Sequence, residues 1–261
     1  METVTHHGRE TAYRRLNRGG DGEPLLFVHG SGGSHAVWSA QTRLADDRPV
    51  IVPDLSGHGE SENVDAGPGY ETLSAYVDDT LAVARATDAR VLCGHSMGGA
   101  VVLSLSINRG AELSPDGVIL AGTGARLVVL DDLLRWLRSD FERAVEFLNG
   151  PDRLFHDPTD RLLSAASEAL RDAGQAVTDR DFRTCHTFDV RGRLDEVDAP
   201  ALALVGEHDA LTPPWYHEAL AEGIPDARWT TIDGAAHLAM LEQPEAFNEA
   251  VSAFLGRTAT H

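Results

Sequence analysis

The chain has 261 residues, 42% of them apolar, enough for one large domain that needs neither disulfides nor a structural metal to hold its core. Its 41 acidic residues outnumber 22 basic ones, every one of those an arginine, for a net charge of -19. A surface of that sign repels nucleic acid and anionic membranes, which excludes both as expected partners. The absence of lysine beside so many carboxylates reads as adaptation to a high-salt cytoplasm, where ions screen self-repulsion. Cys93 and Cys185 are too far apart in sequence to suggest a disulfide framework or a metal knuckle. The N-terminus has no apolar signal core and no apolar run reaches membrane length, so a cytoplasmic location is expected.

In chain order, residues 11–17 alternate in character and read as an edge strand or hairpin arm, closed by the turn Gly19-Gly20-Asp21-Gly22. His6 and His7 before it are expected to be disordered. Residues 24–28 form a continuous apolar strand that stops at His29-Gly30-Ser31-Gly32-Gly33-Ser34, and a helical stretch follows through Trp38 and Leu44. A second buried strand at 49–52 runs into Asp54-Leu55-Ser56-Gly57-His58-Gly59-Glu60-Ser61. Residues 70–86 carry helical spacing at Leu73, Tyr76, Val77, Leu81 and Ala84.

Next comes Val91-Leu92-Cys93-Gly94-His95-Ser96-Met97-Gly98-Gly99, a buried strand leading directly into an amphipathic stretch at 100–108. Gly94-x-Ser96-x-Gly98 has the spacing of a nucleophile elbow. A serine on so sharp a strand-to-helix turn is strained, and side chains two positions away on either side would collide with the turn. That geometry lifts the Ser96 hydroxyl clear of the sheet and aims the Met97 N–H at the same space.

A strand at 117–121 follows, and then the rhythm changes. From 127 to about 190 the segments are helical and charged, with breaks at Gly150-Pro151 and Asp157-Pro158. The strand–helix pattern resumes with a strand at 201–205, a helix at 215–221, a strand at 228–232 and a closing helix at 245–255. Residues 256–261 read as a frayed tail. Short apolar strands alternating with helices predict an α/β fold: a doubly wound, mostly parallel sheet with an inserted helical cap. The expected division is a core of residues 1–124 and 191–261 and a cap of residues 125–190.

Five ordered motifs carry a resemblance to the α/β-hydrolases. They are His29-Gly30-Ser31-Gly32-Gly33, the Asp54–Ser61 turn, the elbow, Gly206-Glu207-His208-Asp209-x-x-Thr212-Pro213, and Gly234-Ala235-Ala236-His237-x-x-x-x-Glu242-x-Pro244. The resemblance covers nearly all of the chain and is weakest in the cap. It implies a Ser–Asp–His triad in that chain order and an oxyanion hole shared by two loops. Ser96 stands at the nucleophile position and His237 at that of the base. Asp209 stands at that of the orienting acid, with Glu207 the near alternative, because the rival loop Gly122-Thr123-Gly124 has no carboxylate. The oxyanion hole falls to the backbone N–H groups of Ser31 and Met97. His95 is read as packing beside the elbow and His58 as structuring its own turn.

Other chemistries fit less well. The glycine loop lacks the lysine and spacing of a phosphate loop. A serine rather than an aspartate at 96 departs from haloalkane dehalogenases and epoxide hydrolases. Ser31-Gly32-Gly33 and Met97 depart from the Gly-Gly-Pro-Gly run and post-serine tryptophan of proline iminopeptidases. His95 stands where cofactor-free perhydrolases usually have phenylalanine. No metal-ligand spacing and no cofactor are expected, and the oligomeric state is left open. The expected activity is hydrolysis of a small or medium carboxylic ester, with the cap, especially residues 127–148 and 182–188, walling the acyl pocket. A lactonase, a carbon–carbon bond hydrolase and a slow-turnover ligand receptor are the alternatives. The charge pattern predicts a melting temperature that rises from dilute buffer to molar salt; an unchanged or falling value contradicts the salt adaptation.

Overall fold

The computed structural model describes residues 1–258. A hairpin of β1 (Glu2–His6) and β2 (Arg9–Leu16) opens the chain, followed by β3 (Leu25–Val28), a 3-10 segment (His35–Asp46) and β4 (Val50–Pro53). Then come α1 (Tyr70–Thr87), β5 (Val91–His95), α2 (Met97–Leu113) and β6 (Gly117–Ala121). Four helices follow before the next strand: α3 (Asp131–Ser139), α4 (Phe141–Leu148), α5 (Asp160–Ala173) and α6 (Gln175–Thr187). The chain then returns to the sheet with β7 (Ala201–Gly206), α7 (Pro214–Gly223), β8 (Ala227–Ile232), the single turn α8 (Ala239–Glu242) and α9 (Pro244–Thr258).

The eight strands form one sheet in the order β1-β2-β4-β3-β5-β6-β7-β8, antiparallel through β1, β2 and β4 and parallel from β4 onward. This is the doubly wound α/β architecture expected. Strands β3 to β7 are buried at every position, the pattern of strands covered on both faces. Their side chains divide by parity: Leu26, Val28 and Leu92 join the core beneath α1 and α2, and Leu25, Phe27, Val91 and Cys93 join the one beneath the 3-10 segment and α9.

Two expectations at the termini are corrected. The edge strand is β1, paired with β2 across a His7-Gly8 turn in which both residues have positive φ, 46° and 76°. Such a two-residue turn matches the twist of the strands it joins. His6 is therefore an ordered strand residue rather than disordered, its Nε2 lying 2.7 Å from the Thr11 hydroxyl and 3.2 Å from buried Asp79. At the other end, α9 carries the chain in helix through residue 258, where a frayed tail was expected from 256; residues 259–261 lie outside those described. No helix among the described residues is long and apolar enough to cross a membrane.

The two ends of the α3–α6 segment meet at the sheet rim. Arg126 bridges Asp189 in antiparallel fashion, and the Val190 N–H donates to the Ala125 carbonyl at 2.8 Å. The segment is tied down by Asp181 on α6, whose fully buried carboxylate collects three donors from elsewhere in the chain. These are the Tyr76 hydroxyl at 2.6 Å, the His58 Nε2 at 2.9 Å and the Gly32 N–H at 2.9 Å. Burial pushes this carboxyl up, but attraction to His58 and the three hydrogen bonds outweigh it, leaving its pKa below the usual value.

Two stability predictions follow from these buried groups. Asp181→Ala strands its donors in the interior and is expected to cost about 3–5 kcal/mol in a denaturant titration; a cost below about 1 kcal/mol contradicts the tether. Burial lowers the pKa of His29 and His217 to about 4 and of His95 to about 3. Each folded value lies below the unfolded one, so stability is intact above about pH 6.5 and is lost as acid protonates the unfolded chain first. With all three titrating together, the fall approaches about 4 kcal/mol per pH unit between pH 6 and 4. Denaturant midpoints that stay level from pH 7 to 5 would refute it.

Candidate active site

The C-terminal ends of the parallel strands, where ligands bind in open α/β sheets, carry Ser31, Ser96, Met97, Asp209 and His237. Ser96 follows β5 directly with φ 53° and ψ -116°, and α2 begins at Met97. Left-handed backbone at a non-glycine residue costs on the order of 1–3 kcal/mol, so the surroundings must impose it. A β-carbon on Gly94 would lie 2.2 Å from the Gly98 carbonyl oxygen, and one on Gly98 would lie 2.3 Å from that of Val28. The Ser96 N–H donates to the Ala121 carbonyl at 2.9 Å, and the Thr123 hydroxyl donates to the Ser96 carbonyl at 2.8 Å. Thr123 belongs to the loop after β6, where no carboxylate stands; its part is to brace the serine.

Asp209 and His237 come from the loops after β7 and β8. The imidazole Nδ1 lies 2.9 Å from Asp209 Oδ2. Asp209 also accepts from the N–H groups of Leu211 and Thr212 and from the Thr212 hydroxyl, each at 2.8 Å. Burial raises its pKa, but attraction to His237 and these hydrogen bonds prevail, and the group is held below the usual carboxylate value. Asp209 is therefore ionised and holds the proton of His237 on Nδ1. Of the two carboxylates weighed for this position, Glu207 turns elsewhere and accepts from the Gly234 N–H at 3.3 Å. Ser96 and His237 line the same cavity, and no hydrogen bond joins their side chains among the described residues.

The Ser31 loop follows β3. Gly32 N–H is taken by Asp181 and Gly33 N–H by the Gly30 carbonyl at 3.1 Å, whereas the Ser31 and Met97 N–H groups meet no protein acceptor among the described residues. His95, kept neutral by burial, donates from Nε2 to the His237 carbonyl at 3.0 Å. It therefore steadies the backbone of the base as well as packing beside the elbow. His58 does more than shape its own turn, because it reaches Asp181 on α6.

The cavity over Ser96 and His237 measures about 810 Å³. Leu127, Leu133, Phe147, Leu148, Phe182 and Cys185 line it as expected of their segments, while Phe188 packs into the core instead. A further part of the cap that the expectation had not singled out also lines it: Arg161, Leu162, Ala165, Ala166, Ala169 and Leu170 form a strip along α5. The chain between α4 and α5 also holds the loops of the acid and the base. Arg153 and Leu154 carbonyls accept from His237 and Leu238 N–H groups, and the Asp152 carbonyl accepts from the Ala210 N–H.

A grouping the sequence spacing did not suggest lies nearby, with ligand atoms of Asp152, His156 and His208 within 4.8 Å of one another. The two imidazoles stack at 3.6 Å and 11°, so their in-plane lone pairs do not converge on one point. His208 comes from a different loop, which is why adjacency in the chain gave no sign of it.

Comparison with known proteins accords with this geometry. Residues 25–250 match the family described as the alpha/beta hydrolase family. A pimeloyl-[acyl-carrier protein] methyl ester esterase of Aromatoleum aromaticum is 30% identical across 85% of this chain and 93% of its own. The 3-oxoadipate enol-lactonase 1 of Acinetobacter baylyi is 25% identical across 97% of this chain and 96% of its own. The solved structure of a thermophilic esterase from Thermogutta terrifontis, with malate bound, superposes with a TM-score of 0.83 at 28% identity and 98% coverage of both chains. With the sheet order, the elbow and the residue range of that match together, the chain belongs to the alpha/beta hydrolase family.

Proposed function

We propose that the protein is a serine hydrolase that cleaves a small or medium carboxylic ester through an acyl-enzyme on Ser96. The observation that carries this reading is the 2.9 Å contact of His237 with a buried, ionised Asp209, beside a serine held in elbow geometry in the same cavity. A serine hydroxyl is a weak nucleophile until a base takes its proton, and the base needs a partner to fix its tautomer. In the substrate complex Ser96 Oγ turns onto His237 Nε2, a contact that is often long before substrate binds. The oxygen attacks the carbonyl as His237 takes its proton, and Asp209 stabilises the imidazolium without being protonated. The oxyanion is held by the Met97 and Ser31 N–H groups, with the N-terminus of α2 adding partial positive charge. His237 then returns the proton to the leaving alcohol, and water deprotonated by His237 clears the acyl group. No cofactor enters these steps.

Residues 125–190 serve as a cap in this reading. The juncture of their ends at Arg126 and Asp189 supports it, as does their share of the cavity wall. A lactone is an ester whose alcohol stays attached, and the name of the Acinetobacter relative makes lactone hydrolysis the second reading.

The test is a panel of p-nitrophenyl acyl esters at low and molar salt. Ser96→Ala is expected to lower turnover by on the order of 10⁶, and His237→Ala by a comparable factor, because such residues act as a unit. Equal rates for wild type and Ser96→Ala would end the proposal. Asp209→Asn is expected to lower turnover by about 10⁴ with the fold intact, and a loss smaller than tenfold would remove Asp209 from the role.

A further inference from the structure

We propose that the cavity selects esters whose acyl chain ends in a carboxylate, which Arg161 binds at the end remote from the ester carbonyl. This deepens the serine-hydrolase reading and rests on it.

Histidines aside, Arg161 is the one cavity-lining residue among those described that carries a formal charge. Among the described residues no hydrogen bond or ion pair with protein reaches its guanidinium, in a chain where carboxylates outnumber arginines nearly two to one. Two arginines that do not line the cavity have taken carboxylates: Arg171 takes Glu142 at 2.7 Å on the same helix and Arg183 takes Asp179 at 2.9 Å on the next. The sequence neighbour Asp160 does not line the cavity. An unpartnered guanidinium is a planar fork of donors suited to a carboxylate, here in the wall of a cavity lined mostly by apolar side chains.

The axis of α5 sets the distance. Leu170 abuts the oxyanion loop, where a β-carbon on Gly32 would come within 2.8 Å of its Cδ2. Arg161 lies nine residues earlier on the helix, about 13 Å away at 1.5 Å per residue. Ala165, Ala166 and Ala169 line the cavity between them, and their small side chains leave room for an extended chain. With C–C bonds of about 1.5 Å projecting about 1.3 Å each, and a guanidinium able to reach inward by several ångström, an acyl chain of about six to ten carbons spans the gap. The side chain is exposed, so its grip is moderate and weakens in salt.

The experiment compares mono-p-nitrophenyl suberate with p-nitrophenyl octanoate, equal in length and differing in the terminal carboxylate. The ratio of their kcat/KM values is measured for wild type, Arg161→Gln and Arg161→Glu in low and molar salt, with a thermal melt of each variant. Wild type is expected to favour the hemisuberate at low salt. Arg161→Gln should lower the ratio by about tenfold, chiefly through KM, and Arg161→Glu further still. Molar salt should shrink the wild-type preference. The preference should peak between six and ten carbons and be lost in the four-carbon hemisuccinate compared with butyrate. An unchanged ratio in both variants, with octanoate still cleaved, overturns the carboxylate site and leaves the serine-hydrolase reading standing. Failure of wild type to cleave either ester overturns both.

Discussion

The left-handed backbone at Ser96 is the constraint on which the rest of the site depends. An isolated chain would relax it, and the fold prevents this from several directions. The sheet holds the Ser96 amide through Ala121, Thr123 holds its carbonyl, and glycines at 94 and 98 permit main-chain approaches that a β-carbon would block. The strain is supported by contacts made before any ligand arrives, so the serine, the start of α2 and the Met97 amide share a fixed geometry. Such preorganisation is what electrostatic catalysis requires, since dipoles already in place need not reorganise as charge develops.

Three buried aspartates do the work of assembling distant segments. Asp79 on α1 gathers Arg9 from β2, His6 from β1 and the Ser56 amide. Asp54 gathers the amide and ring of His35 and the Glu60 amide, joining the start of the 3-10 segment to the loop after β4. Asp181 gathers Tyr76, His58 and Gly32, joining α6 to α1 and to the loop of Ser31. A buried carboxylate is tolerated only when its lone pairs are filled, so each of these sites specifies one arrangement of its donors and penalises the others. The -19 charge of the chain thus has two components: most carboxylates face solvent, and a few organise the interior.

How much of this could be read in the chain depended on how local the signal was. Strands β3 to β7 were legible because burial on both faces leaves continuous apolar runs, and the elbow because its steric demand is met within five residues. Asp209 and His237 were named from their places in two loop motifs, and their contact at 2.9 Å is a tertiary fact. The β1 strand was missed because an exposed edge leaves little apolar pattern in Glu-Thr-Val-Thr-His, and the His7-Gly8 turn needs its dihedral angles to be recognised. Asp181 carried no signal at all, being one of 41 acidic residues in the chain. His58 looked local for the same reason, since its partner lies 123 residues away. Within the cap, the α5 part of the wall could not be singled out, because a helix with three alanines and an arginine on one face looks like any solvated helix until its neighbours are known.

The central claim is that Ser96 is an activated nucleophile, and covalent labelling tests it most directly. Wild type incubated with a fluorophosphonate should gain one phosphonyl adduct by intact mass, mapped to Ser96 by peptide sequencing. His237→Ala should label far more slowly and Ser96→Ala not at all. A wild type that remains unlabelled, or that labels at another residue, would contradict the account.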